Sequence, residues 1–275
     1  MTDDAVVDML VALPGVVLLA GCVLMRVGAA VALMPGFGER SVPPRIRLAA
    51  AIALTALVLP AVAGPLMAAV PRAPGALLSV MAGEALAGLA IGLGFRGLVF
   101  ALQIAGTTAS QSITLSHLFG TPLASEAEPA LAGLLAMAGI ALAMAAGLHV
   151  ALVAALVRLY AILPFGLMLP PGDAAAFATA RAGEAFALGL SLAMPFVLVG
   201  FAYNLALGTL SRAMPQLLVT LVGVPLLVGL GLVTLWIVLP ETFARWLAVM
   251  TAVGSDPLGP LATPGPAAPP GGVGR

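Results

Sequence analysis

The feature that most constrains this chain is a succession of long runs that carry almost no charge. Six can be drawn, roughly Met9 to Met34, Leu48 to Val70, Leu77 to Phe100, Ala130 to Leu156, Ala185 to Leu207 and Leu217 to Leu239. Each is near or above the roughly 20 residues that cross a hydrocarbon core about 30 Å thick. Lipid cannot hydrogen-bond a backbone, so separate apolar runs of this length must satisfy their own N–H and C=O groups as helices. The expected fold class is all-α: a polytopic integral membrane protein of about six hydrophobic helices packed as hairpins. Residues 1–253 make one membrane domain in this reading, and 254–275 a Pro/Gly-rich disordered tail.

Composition closes off the soluble alternatives. With 62% hydrophobic and 8% charged residues, the chain falls far short of the roughly one quarter charged residues of a soluble domain. Net charge is zero and all 11 basic residues are arginine, so there is no basic face for nucleic acid and no lysine for Schiff-base chemistry. Cys22 is the only cysteine, which rules out an internal disulfide and a cysteine-based metal site. The stretch Leu18-Leu19-Ala20-Gly21-Cys22 has the look of a lipoprotein cleavage box. Its flank is acidic (Asp3, Asp4, Asp8), however, and the chain stays apolar to Met34, so it reads as the first span.

Within the runs, Pro60 and Pro195 predict kinks or breaks. The first connection, Pro35 to Arg47, gathers Arg40, Arg45 and Arg47 and by the positive-inside rule belongs in the cytoplasm, with the N-terminus outside. The third, about Gly106 to Pro129, has no Lys or Arg and is rich in Ser and Thr. Internal duplication of the kind that builds many transporters is not visible.

Charges inside spans are costly, so Arg26, Glu84, Arg96 and His149 each raise a functional question. Glu84 and Arg96 lie roughly 18 Å apart along one helix and cannot pair with each other; each needs a partner elsewhere, and Arg26 is one candidate for Glu84. One Glu and one His are too few for a proton relay. His117 falls in the polar third connection, and neither histidine has a metal-ligand neighbour at helical spacing. Gly88 to Gly92 forms a GxxxG that lets two helix backbones approach, within the chain or between subunits. The 12 methionines do not form a stripe and read as filling. Phosphate-binding Gly loops, paired catalytic carboxylates and nucleophile–base arrangements are not found, so nothing argues for an enzyme, a metal or a cofactor.

Three stretches are more specific than composition. They are Met34-Pro35 with Glu39-Arg40-Ser41-Val42-Pro43-Pro44-Arg45-Ile46-Arg47-Leu48; Leu163-Pro164-Phe165-Gly166 with His149 before it; and Asn204-Leu205-Ala206-Leu207-Gly208, Leu210-Ser211-Arg212-Ala213-Met214-Pro215-Gln216 and Gly223-Val224-Pro225-Leu226. In order and spacing these resemble the signatures of the FliR family of type III export-gate components, across nearly the whole chain to Leu239.

The resemblance implies a multi-pass protein of the bacterial inner membrane and flagellar basal body that helps form the gate for exported flagellar subunits. Its implied partners are FliP and FliQ, which it would join in a closed helical ring, together with FlhB and FlhA. It also implies that the connection after the third helix, here about Gly106 to Pro122, projects into the central pore as a plug. Gln111, Ser112, Ile113, Thr114, Leu115, Leu118 and Phe119 are the candidate plug residues, with Gly106 and Gly120 as hinges. Polar groups there can hydrogen-bond while the apolar ones close a constriction that excludes water. Without the resemblance, an ordinary polar surface loop is the alternative. Gly88, Gly92, Asn204, Gly208, Arg212, Pro215 and Gln216 are the candidates for helix packing or subunit contact. The homologous virulence secretion component and, from another class, a secondary transporter stay open as competing readings.

Overall fold

A computed structural model of the chain describes residues 3–71, 73–114, 130–213 and 218–259. The elements are α1 (Asp3–Leu33), α2 (Pro44–Leu66), a 3-10 turn (Met67–Ala69), α3 (Pro74–Thr114), α4 (Ala130–Ala145), α5 (Leu148–Ile162), α6 (Pro171–Ala213) and α7 (Leu218–Ser255), with no strand among the described residues. Five of these helices are long and apolar enough to cross a membrane, and α4 with α5 adds a sixth passage if the bent pair is one span. The chain is thus a polytopic all-α membrane protein.

Local chemistry sets several boundaries. Pro43 is extended, at φ −57° and ψ 142°, and Pro44 opens α2 where a missing N–H costs no helical bond. The Pro43 carbonyl accepts from the backbone N–H of Ile46 (3.0 Å) and of Arg47 (3.2 Å). α3 runs through 41 residues, well past Phe100, where the apolar run ends. The helix tolerates the polar residues that follow: Ser110 and Ser112 donate their hydroxyls to the carbonyls of Gly106 and Thr108, each at 2.8 Å, so these side chains are satisfied inside it. The connection expected from Gly106 is therefore helical as far as Thr114.

The run Ala130 to Leu156 is not one straight helix. Gly147, at φ +85°, separates α4 from α5, which are bent by 71°. In contrast, α2 and α6 continue as helix through Pro60 and Pro195, where a kink or a break was expected, so neither proline breaks its helix. A proline removes one donor and crowds one carbonyl, which a long helix absorbs, whereas a positive φ redirects the chain outright. α6 takes in the Ala-rich stretch before Glu184, and α7 continues through Pro240 to Ser255. A turn follows in which the Gly259 N–H bonds the Asp256 carbonyl at 3.2 Å. Ordered chain thus extends six residues past the expected domain end at 253, to 259; residues 260–275 lie outside the described residues.

The described residues fall into two compact units. The first draws on Met1–Gly97, Ala143–Ala182 and Thr251–Pro260, the second on Leu98–Leu142 and Gly183–Met250. In the first unit the fully buried faces of α1 (Cys22, Val23, Val27, Ala30, Val31) and α3 (Ile91, Phe95) form the core. Here α1 and α3 meet backbone to backbone: a Cβ on Gly88 would stand 2.0 Å from the Arg26 carbonyl oxygen, and one on Gly92 would stand 2.9 Å from that of Ala30. The GxxxG is thus used within the chain, between α3 and α1. Arg158 donates to the carbonyls of Gly254 (3.3 Å) and Ser255 (3.1 Å), and Arg181 to those of Leu258 and Gly259. Arg158 thus satisfies carbonyls that the end of α7 leaves without helical donors, and Arg181 binds the turn that follows it.

In the second unit Trp246 is buried and its indole N–H donates to the Leu98 carbonyl at 2.8 Å. A Cβ on Gly106 would stand 2.4 Å from the Ala132 Cα, and one on Gly200 2.6 Å from the Ser112 carbonyl oxygen. Gly106, expected as a hinge, is instead a close-packing position within a helix.

Candidate functional site

The charges that the sequence left without partners are resolved inside the first unit. Arg26 on α1 and Glu84 on α3 are 1% and 0% exposed, with Arg26 Nε 2.8 Å from Glu84 Oε2 and Nη2 donating to Oε1 at 2.8 Å. The Nη2 contact is a hydrogen bond and the Nε contact a close charge pair, so the guanidinium meets both carboxylate oxygens. The Tyr160 hydroxyl donates to Glu84 Oε2 at 3.2 Å, and the Gly166 backbone N–H to Oε1 at 3.1 Å. Arg26 also donates to the Leu163 carbonyl at 3.2 Å, and its Cζ lies 3.7 Å from the centroid of the Tyr160 ring. The pair thus draws on three helices, α1, α3 and α5, and on the connection after α5, as a buried pair must to limit its desolvation penalty.

This gives the Leu163-Pro164-Phe165-Gly166 stretch a physical reason. It supplies one carbonyl to the cation and one N–H to the carboxylate, and Gly166 holds φ +77°. The approach is close: a Cβ on Gly83 would stand 2.9 Å from the Leu167 carbonyl oxygen. Tyr160 was not singled out from the sequence, and Gly166 was named only within the Leu163-Pro164-Phe165-Gly166 motif, with no tie to the two intramembrane charges.

A second ion pair orders the Arg-rich connection. Arg96 Nη1 donates to Glu39 Oε1 at 2.5 Å, so α3 holds the segment between α1 and α2. Arg47 donates to the carbonyls of Phe37 (3.2 Å) and Glu39 (3.1 Å). His149 is exposed at the start of α5.

In the second unit the end of α3 carries polar side chains on one side. Gln103, Thr107 and Ser110 are half-buried and Gln111 is exposed. At about 100° per residue these four lie within an arc of roughly 100°. Ser112 lies about opposite the middle of that arc, is buried, and packs at Gly200. Of the expected plug residues, Gln111 and Ser112 are thus helical side chains on different faces. Ile113 and Thr114 belong to the last turn of α3, and Leu115, Leu118 and Phe119 lie outside the described residues, as do Gly120 and His117.

Among the expected contact residues, Asn204 sits on α6 and donates Nδ2 to the Gly200 carbonyl at 2.8 Å. A Cβ on Gly208 would meet nothing within 4 Å. Arg212 falls in the last turn of α6, and Pro215 and Gln216 lie outside the described residues.

The bacterial export proteins, family 1, match residues 17–253 of the chain. The chain belongs to that family. Among its relatives, the flagellar biosynthetic protein FliR of Caulobacter vibrioides is 39% identical over 217 residues, 78% of this chain and 86% of the relative. FliR of Escherichia coli is 31% identical over 76% of this chain and 79% of its own length. FliR of Pectobacterium carotovorum is 29% identical over 78% and 82%. For this member of export family 1, both ion pairs and the polar side of α3 fall within the matched interval.

Proposed function

We propose that this chain is a structural component of the flagellar type III protein export gate in the bacterial inner membrane. It assembles with FliP and FliQ into a closed helical ring and works with FlhB and FlhA, while exported flagellar subunits pass as substrates and energy is supplied elsewhere. Membership of an export family whose relatives bear flagellar names supports the flagellar branch over a virulence system.

The observation that carries a conduit role is the polar side of α3. Gln103, Thr107, Ser110 and Gln111 lie together within one arc of the C-terminal part of α3, none of them fully buried. Amide and hydroxyl groups grouped this way belong against water or polar chain and not against lipid. Facing an aqueous path, they can hydrogen-bond to an unfolded polypeptide without selecting its sequence. The buried Arg26–Glu84 pair then acts as a fixed staple of the scaffold, with its carboxylate fully engaged.

Affinity purification of the tagged chain in mild detergent, with mass spectrometry of what accompanies it, tests the assignment. Recovery of FliP and FliQ in one large complex is the expected result. A chain that runs alone or as a simple homo-oligomer, even when co-expressed with both, would sink the assignment and favour a secondary transporter.

A further inference from the structure

The Arg-rich connection and α2 together form a surface on which the only ion pair described is that of Glu39 with Arg96. Glu39 is the only carboxylate in the sequence of the connection and α2, and Arg96 bonds it. Arg47 is turned to backbone carbonyls. Within the connection Arg40, Arg45 and Arg47 stand against Glu39 alone, a net charge of +2. Arg40 and Arg45 are exposed, and neither makes an ion pair or side-chain hydrogen bond among the described residues.

The face of α2 that follows is apolar without interruption. Ile46, Leu48, Ile52 and Leu57 are 52–65% exposed, with Ala49, Ala53 and Ala56 exposed between them. The one hydroxyl of this stretch, Thr55, is buried and donates to the Ala51 carbonyl at 2.7 Å, so it does not reach the outer face. From Leu48 to Leu66 the helix is about 27 Å long at 1.5 Å per residue, close to the depth of a hydrocarbon core.

We infer that this face of α2 lies against lipid and that Arg40 and Arg45 bind the phosphate of an anionic phospholipid headgroup at its end. Two features favour lipid over a folded partner. The outer face has only aliphatic and small side chains, with no aromatic anchor and no hydrogen-bonding group, whereas protein interfaces concentrate aromatic anchors and polar pairs. The free cations also sit at the end of that apolar length, where headgroup phosphates lie. The inference needs α2 in a bilayer and does not depend on which proteins surround the chain.

The test reconstitutes the full chain in nanodiscs of mixed phosphatidylglycerol and phosphatidylcholine and counts retained lipid by native mass spectrometry. Near an anionic surface each basic residue contributes about fivefold, so R40Q/R45Q should lower the phosphatidylglycerol preference by about thirty-fold. R40K/R45K should stay within about threefold of the parent, and R245Q, at an exposed site on α7, should leave the preference unchanged. An unaltered preference in R40Q/R45Q overturns the inference. So does displacement of the lipid by millimolar inorganic phosphate, which would make this a free-phosphate site. Loss of FliP and FliQ from R40Q/R45Q preparations with lipid preference intact would mark a protein interface and likewise overturn it.

Discussion

Glu84→Ala isolates the contribution of the buried ion pair. The substitution strands the Arg26 guanidinium, which keeps only the Leu163 carbonyl at 3.2 Å and the Tyr160 ring. Removing one member of a buried pair costs about 3–5 kcal/mol, because the other charge stays desolvated and uncompensated. The Tyr160 hydroxyl and Gly166 N–H also lose their acceptor. Both are only partly buried, so together they add about 1 kcal/mol. The expected loss is about 4–6 kcal/mol. The double variant R26M/E84L removes both charges and should recover all but about 1–2 kcal/mol, since only Leu163, Tyr160 and Gly166 then lack partners. Reversible unfolding in mixed micelles, followed by circular dichroism, gives both values. A loss below about 1 kcal/mol for E84A, or a double variant no better than the single one, would refute the claim that the charges are held by each other.

Other outcomes follow from the same geometry. Gly88→Ala places a Cβ 2.0 Å from the Arg26 carbonyl oxygen; the backbones must part, and the same unfolding assay should register a loss of about 1–3 kcal/mol or more. Gly147→Ala meets no neighbour but forces a side chain into the left-handed region, a cost of about 1–2 kcal/mol by thermal unfolding in detergent. Trp246→Phe deletes the donor to the Leu98 carbonyl and should destabilise by about 1–2 kcal/mol through the lost bond and volume. Gly208→Ala should stabilise the isolated chain by up to about 1 kcal/mol through helix propensity, while lowering recovery of FliP and FliQ if α6 meets them at that position.

Hydrophobic periodicity and run length made the helical class legible, because a bilayer leaves apolar backbone few alternatives. Helix ends were less so. Nothing apolar marks Gly106 to Thr114 as helix; its hydroxyls are accommodated there by donating to the carbonyls four residues earlier. The bend at Gly147 was hidden because a single glycine in an Ala- and Leu-rich run does not reveal its φ. Prolines drew attention instead, at positions where the helices continue. Arg26 and Glu84 were legible as charges that needed partners, but their pairing depends on which helix faces touch. That was set by Gly88 and Gly92, which bring α3 onto α1. Tyr160 was invisible as a ligand, since an aromatic in a span has many ordinary places to be.

The conduit role is tested most directly by crosslinking from the polar side of α3 to a polypeptide halted in transit. Cys22 is the only cysteine, so a Cys22→Ser background accepts single cysteines at Gln103, Thr107 or Gln111, with Phe201, 68% exposed on α6, as the comparison. An export substrate fused to a domain that cannot unfold would be arrested in the assembled gate. Crosslinks from Gln103, Thr107 and Gln111 to the arrested chain, with none from Phe201, are the predicted result. Assembled gates that give no crosslink from any of the three, or give as much from Phe201, would contradict it.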